Sequence, residues 1–469
     1  MRTKSATSLI LAATAATVIS GLTAAPALAR AASPGAIGGG DPYFPRQGNG
    51  GYNVGHYDLR IAYTPSTHQL SGVATIRARA TQALSRFDLD LRRNLHVRSV
   101  TVNGHRASFR QPKSLVQELV VTPAHALHDG HVFTVRVSYG GTAKHVTDPD
   151  GSLDGWIITK DGAFVASEPQ GSPTWFPVND IPRDKATYAV TVTVPQGLAA
   201  ISNGAYLGRH TAAGRTTWRW RLDKPVSSYL VTATIGKFDV RQGRTPAGVP
   251  YFIAVDPTVK AQADPVLKQL PAIVDFYSRQ FGKYPFGQAG AIVDNAPFVG
   301  YALETATRPL FDRAPSIETL SHELAHQWFG DDVTLRQWRD IWLNEGFAEW
   351  SSWRWDGHRG ATTTRQHLAN LLAIPASNKS EWLPPPANPG SADKIFSGSV
   401  YDRGAGALET LRETVGGPTF LKILRGWVRT HAYRTGTVAQ FRAYAQLVAH
   451  RDLSHLFFEW LDKNGKPSA

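Results

Sequence analysis

The stretch His322-Glu323-Leu324-Ala325-His326, followed by Asn344-Glu345-Gly346, decides how this chain is read. In helical geometry residues four apart project from one face about a turn from each other, so His322 and His326 stand at the separation that two ligands of one Zn²⁺ require. Glu323, beside the first histidine, points to the open side of such a metal, where a carboxylate takes a proton from an attacking water instead of binding the ion. Eighteen residues separate His326 from Glu345, enough for one helix to end, a loop to reverse the chain and a second helix to return a third ligand. Three protein ligands with one position left open is the catalytic pattern of zinc coordination. The alternative is a pair of ordinary core histidines. Against it stands the context: Ser316 offers an N-cap, Glu318 an acid in the first turn, and Ile317, Leu320, Leu324 and Phe329 fall near helical spacing. Glu349, one turn beyond Glu345, competes as the third ligand.

The surrounding His-Glu-Leu-Ala-His-Gln-Trp-Phe-Gly and Trp-Leu-Asn-Glu-Gly-Phe-Ala resemble the gluzincin aminopeptidases, the family of alanyl aminopeptidase and leukotriene hydrolase. The resemblance implies a β-rich N-terminal saddle domain, then a mainly helical thermolysin-like catalytic domain, one zinc per chain on His322, His326 and Glu345, and Glu323 as general base. It extends to three further stretches. Glu168, twelve positions before Asp180 of Phe176-Pro177-Val178-Asn179-Asp180-Ile181-Pro182, occupies the family position that binds a substrate's free α-amino group. Tyr301-Ala302-Leu303-Glu304-Thr305 is similar to the family's Gly-Ala-Met-Glu-Asn motif, with Ala302 and Glu304 matching and implied in substrate binding, and with Tyr301, Leu303 and Thr305 departing. Tyr401-Asp402-Arg403-Gly404-Ala405 looks like Tyr-x-Lys-Gly-Ala, which makes Tyr401 the hydroxyl that steadies the developing oxyanion. Burying a peptide's α-ammonium costs several kcal/mol unless it is paired, so Glu168 and Glu304 together would admit free N-termini and exclude internal segments. Larger relatives add a C-terminal helical domain, so a more open cleft entrance is expected.

The rest of the chain frames this site. Residues 1–29 read as a secretory signal peptide, with Arg2 and Lys4, an apolar run through Leu9, Ile10, Leu11 and Val18, and a small-x-small cleavage site at Ala27-Leu28-Ala29; the expected product is secreted and extracellular. The 469 residues contain no cysteine, so neither disulfides nor a cysteine-linked lipid anchor contribute. Formal net charge is +13, and about +11 without Arg2 and Lys4. That excess favours a weak attraction to anionic surfaces, but the basic residues are scattered along the sequence and no nucleic-acid signature results.

Residues 30–52, rich in Gly, Pro and Ala, are expected as a flexible leader. From 53 to 242 the apolar period is two, as in Tyr57, Leu59, Ile61, Tyr63 and in Phe133, Val135, Val137, Tyr139, with turn signals at Asn103-Gly104, Asp129-Gly130, Gly140-Gly141 and Asn203-Gly204. Helical spacing begins after 243 and runs to 469, starting with one helix over 263–281 that stops at Gly282. The segment 299–305 reads as an edge strand, Trp342, Trp350, Trp353 and Trp355 as packing anchors, and 375–399 as a loop bordering the cleft. Two rivals stay open: a zinc endopeptidase, and a basic surface-binding protein with a vestigial site.

Overall fold

The computed structural model describes residues 31–468, so the expected signal peptide and its cleavage point at Ala29 lie outside the described residues. The alternating pattern produces an eight-stranded sheet built around Tyr52–Thr64, which lies between Ala186–Pro195 and Gln69–Ala80. Tyr57, Leu59 and Ile61 pair in register with Tyr188, Val190 and Val192, and all six face the same core. Of its pairings only this one is parallel; the rest are antiparallel. A second, five-stranded antiparallel sheet includes the neighbouring strands Leu153–Ile158 and Ala163–Ala166, and the latter delivers the chain directly to Glu168. Asn103-Gly104 makes the expected hairpin turn, with both residues at positive φ.

Three expectations here need correcting. Gly140 and Gly141 are not a turn: they lie inside the strand Val132–Thr142, paired with Ser71 and Leu70. A β-carbon at Gly141 would sit 2.1 Å from the Asn94 carbonyl oxygen, so the glycine answers a close backbone approach. The leader is packed rather than flexible from Ser33 onward. Ser33–Pro34 pairs with the strand Leu84–Asp90, and the buried Asp41 and Gln47 accept from Trp338 N (2.9 Å) and Trp338 Nε1 (2.5 Å). Finally, the boundary at 242/243 cuts a hairpin, because Asp239–Arg244 pairs with Pro250–Val255 in the sheet of the second domain.

That second sheet continues through Ala289–Val293 and Leu310–Phe311 to the edge strand Ala302–Leu303, which is shorter than the expected 299–305. Helices follow. The single helix expected over 263–281 is two, Lys260–Leu267 and Leu270–Phe281, because Pro271 has no N–H to continue the ladder and instead opens the second helix near its first turn. Trp342, Trp350, Trp353 and Trp355 are buried at 0–4% exposure, as packing anchors should be. A β-rich N-terminal domain thus precedes a mainly helical one, and residues 32 onward hold together as one unit. Among the described residues no helix is long and apolar enough to cross a membrane.

Candidate active site

The motif helix, Ile317–Ala325, starts where Ser316 Oγ accepts from Thr319 N (3.0 Å) and ends at His326, its C-cap. The chain turns back through Gly330, at φ 136°, and enters the helix Trp342–His358, which carries Glu345 and, one turn on, Glu349. A β-carbon at Gly346 would meet the Trp342 ring at 2.5 Å and the Gly404 backbone at 3.1 Å. The glycine of Asn344-Glu345-Gly346 therefore lets this helix press against the start of the helix Gly404–Val415, whose preceding turn bears Tyr401. Close packing of the two helices is what brings Tyr401 over the histidines: its ring stacks on His322 at 5.8 Å and 24°.

Both imidazole Nε2 atoms lie 3.4 Å from the same oxygen, Glu345 Oε2. Their other nitrogens are engaged. His322 Nδ1 donates to Glu349 Oε2 (3.0 Å) and His326 Nδ1 to the Phe329 carbonyl (3.0 Å). In the neutral rings those bonds place the proton on Nδ1 and leave both Nε2 lone pairs facing Glu345, the second-layer arrangement that prepares histidines for a metal. Glu349 is thus an orienting partner and not the third ligand, and it is itself steadied by Trp353 Nε1 donating to its other oxygen at 2.8 Å. Neither role was visible in the sequence; the i, i+4 spacing of Glu349 and Trp353 was the available signal.

Two imidazole nitrogens and a buried carboxylate converging within 4.8 Å fit one zinc ion. Burial works against charge on Glu345, but the adjacent imidazoles hold it down to about 2. Burial likewise opposes charge on His326, yet Glu304 and Glu345 raise it to about 9, so the pocket is one that stabilises positive charge. Glu323, directed into the same cleft, is pushed up to about 7 by burial, with the two histidines pulling the other way. Glu168 and Glu304 are also buried, each with one carboxylate oxygen, Oε1, lacking a partner among the described residues. Burial and then their mutual charge raise Glu168 well above the ordinary range. Such a pair is costly unless a cation lies between them.

These residues line one cleft of about 590 Å³, including its open mouth, together with Asp150, Ser152, Tyr301, Ala302, Leu303, Phe396 and Tyr401. His322, Glu323, His326, Glu345, Tyr401, Glu168, Glu304 and Ala302, the site residues expected from the sequence, are all in it, whereas Glu349 is not. Arg403, which stands where the resembled motif carries Lys, is elsewhere: it is buried and donates to the carbonyls of Trp382, Glu459, Trp460 and Lys463, tying the C-terminal turn to the Tyr401 segment.

A β-rich domain reaching into a helical domain that carries two histidines and a glutamate on adjoining helices defines a gluzincin type of metallopeptidase. Residues 53–230 match the peptidase M1 N-terminal domain and residues 302–460 the peptidase family M1 domain. The M1 zinc metallopeptidase of Deinococcus radiodurans has a similar structure, with a TM-score of 0.84 and 29% identity over 92% of this chain and 98% of that one. A mutant of it has been solved bound to a Tyr-Ser-Ala substrate. Aminopeptidase M1-D of Oryza sativa subsp. japonica is 29% identical over 66% of this chain and 38% of its own length. For human endoplasmic reticulum aminopeptidase 1 the values are 27%, 81% and 44%. The chain therefore spans less than half the length of these two relatives. It belongs to peptidase family M1, the zinc aminopeptidase family.

Proposed function

We propose that this chain is a secreted zinc aminopeptidase that removes the N-terminal residue of peptides. The observation that carries the reading is the buried pair Glu168 and Glu304, whose unpartnered oxygens line the same cleft as His322, His326 and Glu345. A zinc ion on those three residues would act as a Lewis acid toward the scissile carbonyl and lower the pKa of the attacking water. Glu323, beside His322 and lining the same cleft, takes the proton from that water and delivers it to the departing amine. Tyr401 donates its hydroxyl hydrogen to the oxyanion that develops on the substrate carbonyl. Glu168 and Glu304 bind the α-ammonium, with Ala302 on the neighbouring edge strand, and this fixes the first peptide bond over the reacting groups.

Secretion is part of the proposal and rests on the leader sequence alone. A weak attraction to anionic surfaces has support of its own, because the fold gathers residues that are scattered in sequence. Lys224, Lys283, Lys422, Arg425 and Arg429 line one groove against a single carboxylate, Asp332.

The test is hydrolysis of free-amino aminoacyl amides beside their N-acetylated twins, with and without a zinc chelator. Chelator-sensitive cleavage of the free-amine set alone is expected. Cleavage of the acetylated set would make the protein an endopeptidase, and no cleavage of either would favour a binding protein with a vestigial site.

A further inference from the structure

The cleft is lined by five carboxylates, and the aminopeptidase reading uses four of them. The fifth is Asp150, and no lysine or arginine lines the cleft to oppose it.

Asp150 is held in place by a device that starts at Tyr301, where the resembled family motif carries glycine. Tyr301 Oη donates to the Leu153 carbonyl at 2.7 Å, a bond between the segment leading to Glu304 and the N-terminal domain. Leu153 begins the second strand of a hairpin in which Thr147 pairs with Leu153 and His145 with Gly155. The turn is closed by Gly151 N donating to the Asp148 carbonyl (2.9 Å), with Gly151 at φ 93°. Asp150 sits in that turn, exposed, and its Oδ1 accepts from Ser152 N (2.9 Å) and Ser152 Oγ (2.6 Å). Those two bonds fix the carboxylate and leave Oδ2 without a partner among the described residues.

Its place relative to the amine anchors follows from the hydrogen bonds of Gln170, two residues beyond Glu168. Gln170 N donates to Asp154 Oδ2 (2.9 Å) and Gln170 Nε2 to Asp148 Oδ1 (2.7 Å), so the hairpin that carries Asp150 is tied to the Glu168 segment. Asp150 and Glu168 line the same cleft. For a peptide whose amine is held on Glu168 and Glu304, the hairpin and Tyr301 form the wall of the cleft beside the first residue.

We propose that Asp150, positioned by Tyr301 and Ser152, selects peptides whose N-terminal residue carries a cationic side chain, arginine or lysine. The inference rests on the aminopeptidase reading above. Asp150 is solvent-exposed, so its pairing is screened and the preference is modest, about two- to fivefold for a cation over an uncharged side chain of the same shape. Arginine, whose planar fork can engage a carboxylate with two bonds, gains most.

Citrulline supplies the uncharged counterpart of arginine. The experiment compares kcat/KM for arginyl and citrullinyl amides in the parent, Asp150→Asn and Asp150→Lys. The expected arginine-to-citrulline ratio is about two to five in the parent, near one in D150N and below one in D150K, and the parent ratio falls as salt is raised. Asparagine retains the side-chain oxygen that Ser152 bonds, so the hairpin is preserved. Binding of argininamide and citrullinamide to Glu323→Gln protein, read by calorimetry, should show the same ordering without turnover. A parent ratio of one, or a ratio that D150N leaves unchanged, overturns the assignment while the aminopeptidase reading stands. Absence of turnover on every free-amine substrate would sink both.

Discussion

Glu349→Gln is the substitution that most sharply separates an orienting residue from a ligand. In the native site one Glu349 oxygen accepts from His322 Nδ1 at 3.0 Å and the other from Trp353 Nε1 at 2.8 Å. Burial opposes its charge, but those bonds and the imidazole hold it ionised, below the usual carboxylate range. Glutamine has the same shape and only one acceptor oxygen, so its amide nitrogen must face either the His322 or the Trp353 N–H, and one bond is lost. Loss of such an outer partner costs about 10–100-fold in metal affinity, or about 1.4–2.8 kcal/mol. The assay is zinc competition with a chromophoric chelator at neutral pH on parent and variant, with melting of the zinc-free proteins as a folding control. Unchanged zinc affinity would refute the orienting role. A loss as deep as that of Glu345→Gln, measured in parallel, would show that Glu349 binds the metal itself.

Three further outcomes are expected. Glu323→Gln should retain stoichiometric zinc by metal analysis and lose several orders of magnitude in kcat, since the base is removed and the ligands are spared. Tyr401→Phe should lower kcat by about 10²–10³-fold with a smaller change in KM, because the hydroxyl acts on charge that develops after binding. In the N-terminal domain, Glu118 is pushed up to about 8 by burial and then by Asp88, and both of its oxygens lack partners among the described residues. The folded state thus keeps a proton that the unfolded chain gives up near 4.5, so this group's contribution to stability is full below pH 4.5 and is lost as pH rises to about 8. Glu118→Gln should therefore raise the melting temperature relative to the parent at pH 8–9 more than at pH 5, and an equal shift at both would count against the buried-proton account.

Much of the site was readable because its signals are local. A capped helix with histidines four apart needs only the helical period, and Ser316, His322 and His326 all stand as that period requires. Alternation likewise announced the strands around Tyr57 and Val190, whose inward faces meet in register. The features that escaped are decided by partners far along the chain. Asp41 and Gln47 look like leader residues until Trp338, nearly three hundred residues on, offers them its two N–H groups. Gly141 looks like a turn until the Asn94 carbonyl crosses it. The break after Leu267 was legible in principle, since Pro271 lacks the N–H that would bond the Leu267 carbonyl, although the preceding helix Lys260–Leu267 accommodates Pro265. Glu349 and Trp353 were ambiguous for another reason: on a buried helix, ligand, orienting residue and packing residue share the same spacing, and only the geometry around His322 separates them.

With Glu168 and Glu304 binding the α-ammonium, the protein counts from a free N-terminus, a property that rests on these two buried glutamates. It is tested most directly by incubating the zinc-loaded protein with a pentapeptide and its N-acetylated twin and following both by mass spectrometry. A ladder of products shortened one residue at a time from the free N-terminus is expected, with the acetylated peptide intact. Internal cleavage of either peptide, or equal consumption of both, would contradict it.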